Sequence, residues 1–373
     1  MTFEQSHLVA SLACLVGGVL LAGGIARSRD VASVMGRVIL DWSSAVVGSF
    51  VGVMLLGAFL GGGTSEQLIT SKHFSTPSSA MMVVTFVSVM VSVATVSRVR
   101  IMTSLFASLL MGFIAGMSLS WIDLLLNNQM LTSLTLMAAG VSGVMAAKIT
   151  GGRAGKYNRD GSTNVIPGHA FWMQSIGTLV LGVSPALVLL NFSVSGIATV
   201  ALVGAAAAVL ACAAASHSMS GRIDLLNLPV AFVVGLLIVL IVPTDYAWPT
   251  WARVGLMLAL ALVMGLSISI LLARLDLWLR IDEPAGLSVP LGLTGVLGIV
   301  LHAHGNWQAG FSVLMIALAV IASVVLTYLL AKSKKRLRVS ESAEQEGADL
   351  AVYDLNAYPD FQQPMIRSYH LRQ

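Results

Sequence analysis

Arg280-Ile-Asp-Glu-Pro-Ala-Gly-Leu-Ser-Val-Pro-Leu-Gly-Leu-Thr-Gly-Val-Leu-Gly-Ile-Val300 is the stretch whose reading decides the fold. A charged turn, closed by Pro284, opens directly into a Gly-rich apolar run. Gly292, Gly295 and Gly298 recur every three residues, so on a helix they share one side. A side without Cβ atoms lets a second helix come close. Helices associate this way in lipid, where the hydrophobic effect cannot drive them together.

Composition agrees with a membrane setting. Of 373 residues, 57% are hydrophobic and only 10% charged, with a mean hydropathy of +0.88. A soluble domain carries about 25% charged residues. The formal charge of +4 does not point to nucleic acid, because the basic residues are spread through loops and cluster only after Ala331. Cys14 and Cys212 both sit inside apolar runs, so neither a disulfide framework nor a metal site is expected. The first Lys or Arg is Arg27, after the first apolar run, which is the wrong polarity for a signal peptide.

Eleven apolar segments can be read, at about 8–25, 38–60, 80–96, 101–121, 130–149, 169–190, 194–216, 226–242, 251–273, 286–301 and 309–331. A span needs roughly 20 helical residues. With the N-terminus outside, the odd-to-even connections and the tail hold 19 of the 21 Lys and Arg, and only Lys72 and Arg253 fall on the other side. That bias predicts an N-out, C-in all-α membrane protein. Residues 333–373 form the only sizeable segment outside the apolar runs, so the chain divides into a membrane domain (1–332) and a cytoplasmic tail (333–373). Lys334, Lys335, Arg336 and Arg338 read as a positive-inside stop, with a lipid-headgroup site as the sharper alternative.

Several motifs resemble the ammonium transporter family, the Amt/Mep/Rh channels. Arg280–Val300 is similar to its tenth helix, which begins Asp-Asp-Pro and continues Gly-x-x-Gly-x-x-Gly. Gly23-Gly24-Ile25-Ala26-Arg27 resembles the end of its first helix, and Ser97-Arg98-Val99-Arg100 the turn after its third. Gly151-Gly152-Arg153-Ala154-Gly155, with Pro167 and His169, resembles its central linker. Leu337-Arg338-Val339-Ser340-Glu341, then Gly347, Asp349 and Tyr358, resemble its C-terminal signature. Singly these motifs are weak; in order and at matching spacing they are specific. The resemblance implies an inverted repeat of helices 1–5 and 6–10 with an eleventh helix outside. It also implies a plasma-membrane location, one pore per subunit, a homotrimer or a mixed trimer with an orthodox relative, and a PII-type regulatory partner. Residues 337–360 would then lie ordered against the turns holding Arg153 and Asp282, with Glu283 and Pro284 in the same turn.

The resemblance also shows what has changed. The two family pore histidines fall on Leu136 and Leu291. The outer phenylalanine positions on helix three fall on Ser79 and Val83, and the second gate phenylalanine on Val188. Trp121 keeps the cage tryptophan, Asn128 replaces the supporting acid, and Phe192 takes the cage serine position. Outside the resemblance, Asp41 is a membrane-embedded acid and so a functional candidate, or the partner of Arg37 one turn earlier. His302 and His304 read as interfacial residues rather than metal ligands. No nucleophile–base set or phosphate loop stands out, so neither an enzyme nor a cofactor is expected. Two classes remain: a transporter of ammonium, ammonia or another small neutral solute through an apolar pore, or a non-conducting sensor or scaffold.

Overall fold

The computed structural model describes residues 3–61, 75–120, 128–158, 160, 162–191, 196–243, 249–353 and 358. Among them the chain is helical, with two isolated β-bridges. The long helices are α1 (Phe3–Ile25), α2 (Val31–Gly61), α3 (Ser75–Ala94), α4 (Ile101–Ser120), α5 (Asn128–Thr150) and α6 (Phe171–Asn191). They continue with α7 (Ile197–Ser220), α8 (Asn227–Ile241), α9 (Thr250–Arg274), α10 (Ser288–Gly305) and α11 (Trp307–Ser333). Two short helices, α12 (Glu341–Glu346) and α13 (Ala348–Tyr353), belong to the tail. Among the described residues, 9 helices are long and apolar enough to cross a membrane. α3 and α8 are apolar over shorter stretches, Ser78–Ala94 and Asn227–Ile241.

Those two are also largely enclosed. Met82, Val84, Phe86, Val89 and Met90 of α3, and Val233, Leu237 and Val239 of α8, are wholly buried. A helix apolar on every side sits inside a bundle. α1 lies along α6, α2 along α4, and α5 is wrapped by α3, α10 and α11, while α7, α8 and α9 pack together. Outward-facing Phe106, Leu202, Val263 and Leu330 are exposed, as side chains that meet lipid must be. The molecule is an all-α membrane protein.

Helix ends differ from the apolar runs where charged residues continue a helix. α2 starts at Val31 rather than near 38 and so takes in Arg37, which lies 3.6 Å from Asp41, both buried. Asp41 also accepts from Ser92 and from Ser104 (2.5 Å), and the Arg37 guanidinium donates to the carbonyls of Ser92 and Thr95. Ser92 of α3, Thr95 of the following turn and Ser104 of α4 hold this pair, which therefore clamps α2 to α3 and α4. α10 likewise runs on to Gly305 and takes His302 and His304 into its last turn.

Candidate functional site

The first candidate is the seam between α5 and α10. A Cβ on Gly295 would overlap the Met137 backbone nitrogen, one on Gly140 the Gly292 nitrogen, and one on Gly298 the Ser133 hydroxyl. The two backbones therefore touch. Leu136 shares a face of α5 with Ser133 and Gly140, and Leu291 shares a face of α10 with Ser288 and Gly295, by the three- and four-residue spacing of a helix. Both leucines are wholly buried in one apolar core, together with Val83 of α3 and Val188 of α6. Ser79 is wholly buried one turn before Val83. The hydroxyls of Ser133, Thr135 and Thr294 are spent on carbonyls of their own helices. Asn128 opens α5 half-buried, beside Gln129, whose amide ties down the end of α8 through the Leu240 carbonyl at 3.0 Å. Trp121 and Phe192 lie outside the described residues.

The second candidate is the turn that precedes α10. Asp282 is 3% exposed and takes both oxygens' worth of the Arg153 guanidinium, each bond 2.9 Å, plus the Arg153 amide at 2.8 Å. Arg98, wholly buried, stands 3.5 Å from the same carboxylate and donates to the carbonyls of Ala94, Gly151 and Asp282. Burial by itself would raise the Asp282 carboxyl. The Arg98 and Arg153 charges and the Arg153 hydrogen bonds outweigh it and hold the group at about 2. Burial also lowers the Arg98 guanidinium to about 10. Glu283 takes a different role: its Oε1 accepts from the amides of Leu287 and Ser288 and from the Ser288 hydroxyl, at 3.1, 3.0 and 2.9 Å. It thus answers the orphan donors at the start of α10. Burial pushes its carboxyl up, against those bonds. Pro284 is half-buried beside it, in the turn that leads to Gly286.

The tail closes over this face. Arg338 forms an antiparallel bridge with Val99 and pairs with Glu344 at 2.7 Å, and the other oxygen of Glu344 accepts from the Ala154 amide, also at 2.7 Å. Gly347 turns the chain at φ 107, where a Cβ would press on Arg29 at 2.7 Å, so only glycine fits. Beyond it, Asp349 accepts from the first amides of α2, Ala32 (3.0 Å) and Ser33 (2.6 Å), while Asp30 accepts from the Ala348 amide at 2.7 Å. Each carboxylate caps the other segment's helix. Tyr358 reaches His169 Nε2 at 3.0 Å. An N-cap carboxylate is worth about 1 kcal/mol. Asp349→Ala is therefore expected to speed amide exchange across 341–353 by about fivefold, read by mass spectrometry; unchanged exchange would contradict the capping role.

Arg98 stands in the sequence only as part of the turn motif Ser97–Arg100, and the sequence assigns no role to it, to Asp30 or to Glu344. Each is an ordinary loop charge by spacing, and only their burial signals a role. Among the described residues, no three of His, Cys, Asp and Glu gather as metal ligands would.

No protein-family model matches the chain. It is 26% identical to ammonium transporter Amt2 of Haloferax mediterranei, over 93% of this chain and 87% of that protein. Among solved structures, one described as a sensor Amt protein covers 94% of this chain and 98% of its own, with 17% identity and a TM-score of 0.69. Mep2 of Candida albicans covers 91% and 86%, with 16% identity and a TM-score of 0.62. Likeness in sequence along nearly the whole chain, joined to a shared all-helical fold, makes this chain similar to the ammonium transporters.

Proposed function

We propose that this protein is a membrane transporter that passes ammonia, or another small neutral solute, through an apolar pore rather than conducting ammonium as an ion. The wholly buried Leu136 and Leu291, on the faces where α5 and α10 touch, carry that reading. Stripping water from a cation without compensation costs on the order of 20 kcal/mol in the idealised limit. Aromatic faces and imidazole nitrogens offset part of it, and leucine offers neither. A dry constriction of this kind gates by dewetting, and a neutral solute has no Born term to overcome. The proposed setting is the plasma membrane, N-out and C-in with eleven spans. Residues 1–332 form the transport domain and 333–373 a cytoplasmic tail, in a homotrimer or a mixed trimer with an orthodox relative. The Lys and Arg bias supports the orientation. The pairing of α1 with α6 and α5 with α10 supports an inverted repeat, which sets the solute path between the halves.

In proteoliposomes the unmodified protein is expected to carry no ammonium current, while an ammonia gradient changes internal pH in stopped flow. Leu136→His and Leu291→His each remain silent in the current assay, because the facing wall stays apolar; the double variant recovers current in part, with Ser79 and Val83 still lacking an aromatic gate. A saturable current from the unmodified protein would overturn the reading.

The docked tail favours a second reading, a non-conducting sensor or scaffold. In it the cytoplasmic face and tail engage a PII-type regulator, and Arg338, Glu344 and Asp349 set the tail's position. Neither current nor ammonia-driven pH change, with retained regulator binding, would select it.

A further inference from the structure

A cavity of about 570 Å³ opens between α2, the α3–α4 turn and the tail. Three arginines line it, Arg37, Arg100 and Arg336, and no Asp or Glu does. Arg37 is committed to Asp41 and to the Ser92 and Thr95 carbonyls. Arg100 and Arg336 form no ion pair among the described residues. Arg100 Nε donates to the Arg338 carbonyl at 2.7 Å, which steadies its head without neutralising it. Among the described residues the recess therefore holds two positive charges without an ion pair. Its mouth continues onto α4, where Met102, Phe106 and Leu109 are 75%, 60% and 40% exposed and follow one another at helical spacing.

We propose that this cavity binds the phosphate of an anionic phospholipid, with the acyl chains along Met102, Phe106 and Leu109. Guanidinium groups match phosphate oxygens in geometry as well as charge. The apolar stripe beside the recess is what separates a lipid from a free phosphate ion, which has no use for it. Because Arg336, Val339 and Tyr353 of the tail form part of the wall, a bound headgroup also holds the tail against α2 and α4.

The test is native mass spectrometry of the delipidated full-length protein, titrated separately with phosphatidylglycerol, phosphatidylcholine and inorganic phosphate. One phosphatidylglycerol is expected to bind at least about fivefold more tightly than phosphatidylcholine. Arg336→Gln, whose side chain makes no hydrogen bond among the described residues, is expected to weaken it about fivefold, the worth of one basic residue near an anionic surface. Ala343→Glu, which sets a carboxylate in the cavity wall, abolishes the preference. The Lys334→Gln/Lys335→Gln double variant removes charge outside the cavity and keeps the preference. Equal binding of the two lipids would overturn the proposal. So would equal losses in Arg336→Gln and the double-lysine variant, which indicate diffuse surface charge. Inorganic phosphate that displaces phosphatidylglycerol with the same variant pattern would replace the lipid with a soluble anion. Arg336→Gln decides the matter if Ala343→Glu disturbs the tail.

Discussion

Asp282→Asn is expected to lower stability by about 3–5 kcal/mol, the cost of leaving buried charge without its partner. One carboxylate serves two guanidiniums here, those of Arg153 and the wholly buried Arg98. The amide keeps the shape and removes the charge, so both arginines lose compensation at once. The turn before α10, the linker at Arg153 and the α3–α4 turn all meet at this group, and thermal unfolding in mild detergent should register the loss as a large fall in midpoint. Acid should imitate the substitution. With the carboxyl held at about 2, below the usual value of about 3.9, its contribution is complete above about pH 4 and is lost as pH falls through about 2. Asp30 and Glu283, both raised chiefly by burial, act oppositely, because protonation relieves them. The net acid loss is therefore smaller in the parent protein than the Asn substitution at neutral pH. A midpoint unchanged in Asp282→Asn would show that the three turns are held by something else.

Gly295→Val is expected to cost about 3 kcal/mol or more, the upper range for overpacking. Backbone atoms of Met137 and Ser133, rather than a flexible side-chain end, stand where its Cβ would go. α5 and α10 would have to separate, and with them the faces bearing Leu136 and Leu291. The internal control is Gly292→Ala, whose Cβ would find its nearest atoms at an ordinary 3.4 Å. That change should be neutral or slightly stabilising, since alanine gains roughly 1 kcal/mol in helix propensity. Monodispersity in gel filtration and the unfolding midpoint compare the two directly. Equal tolerance would mean the helices are not in backbone contact.

The course of the helices was legible in the chain itself. Long apolar runs must satisfy their own backbone hydrogen bonds in lipid, so helix is the available structure. The 3-residue recurrence of Gly292, Gly295 and Gly298 announced a close approach before its partner was known. Helix ends were less legible, because Arg37 and His304 are charged or polar and still helical: a partner such as Asp41, or the interface, takes up what an apolar run would exclude.

What the sequence by itself determined is therefore a helical membrane chain with glycine-lined contacts between its helices. Tertiary structure alone decided which face meets α10, that Arg98 joins Arg153 on Asp282, and that Asp30 and Asp349 cap each other's helices. Those partners are separated by more than a hundred residues in the chain. Local propensity has no term for a charge that becomes buried only when distant segments meet, and burial is what turns an ordinary loop charge into a structural one.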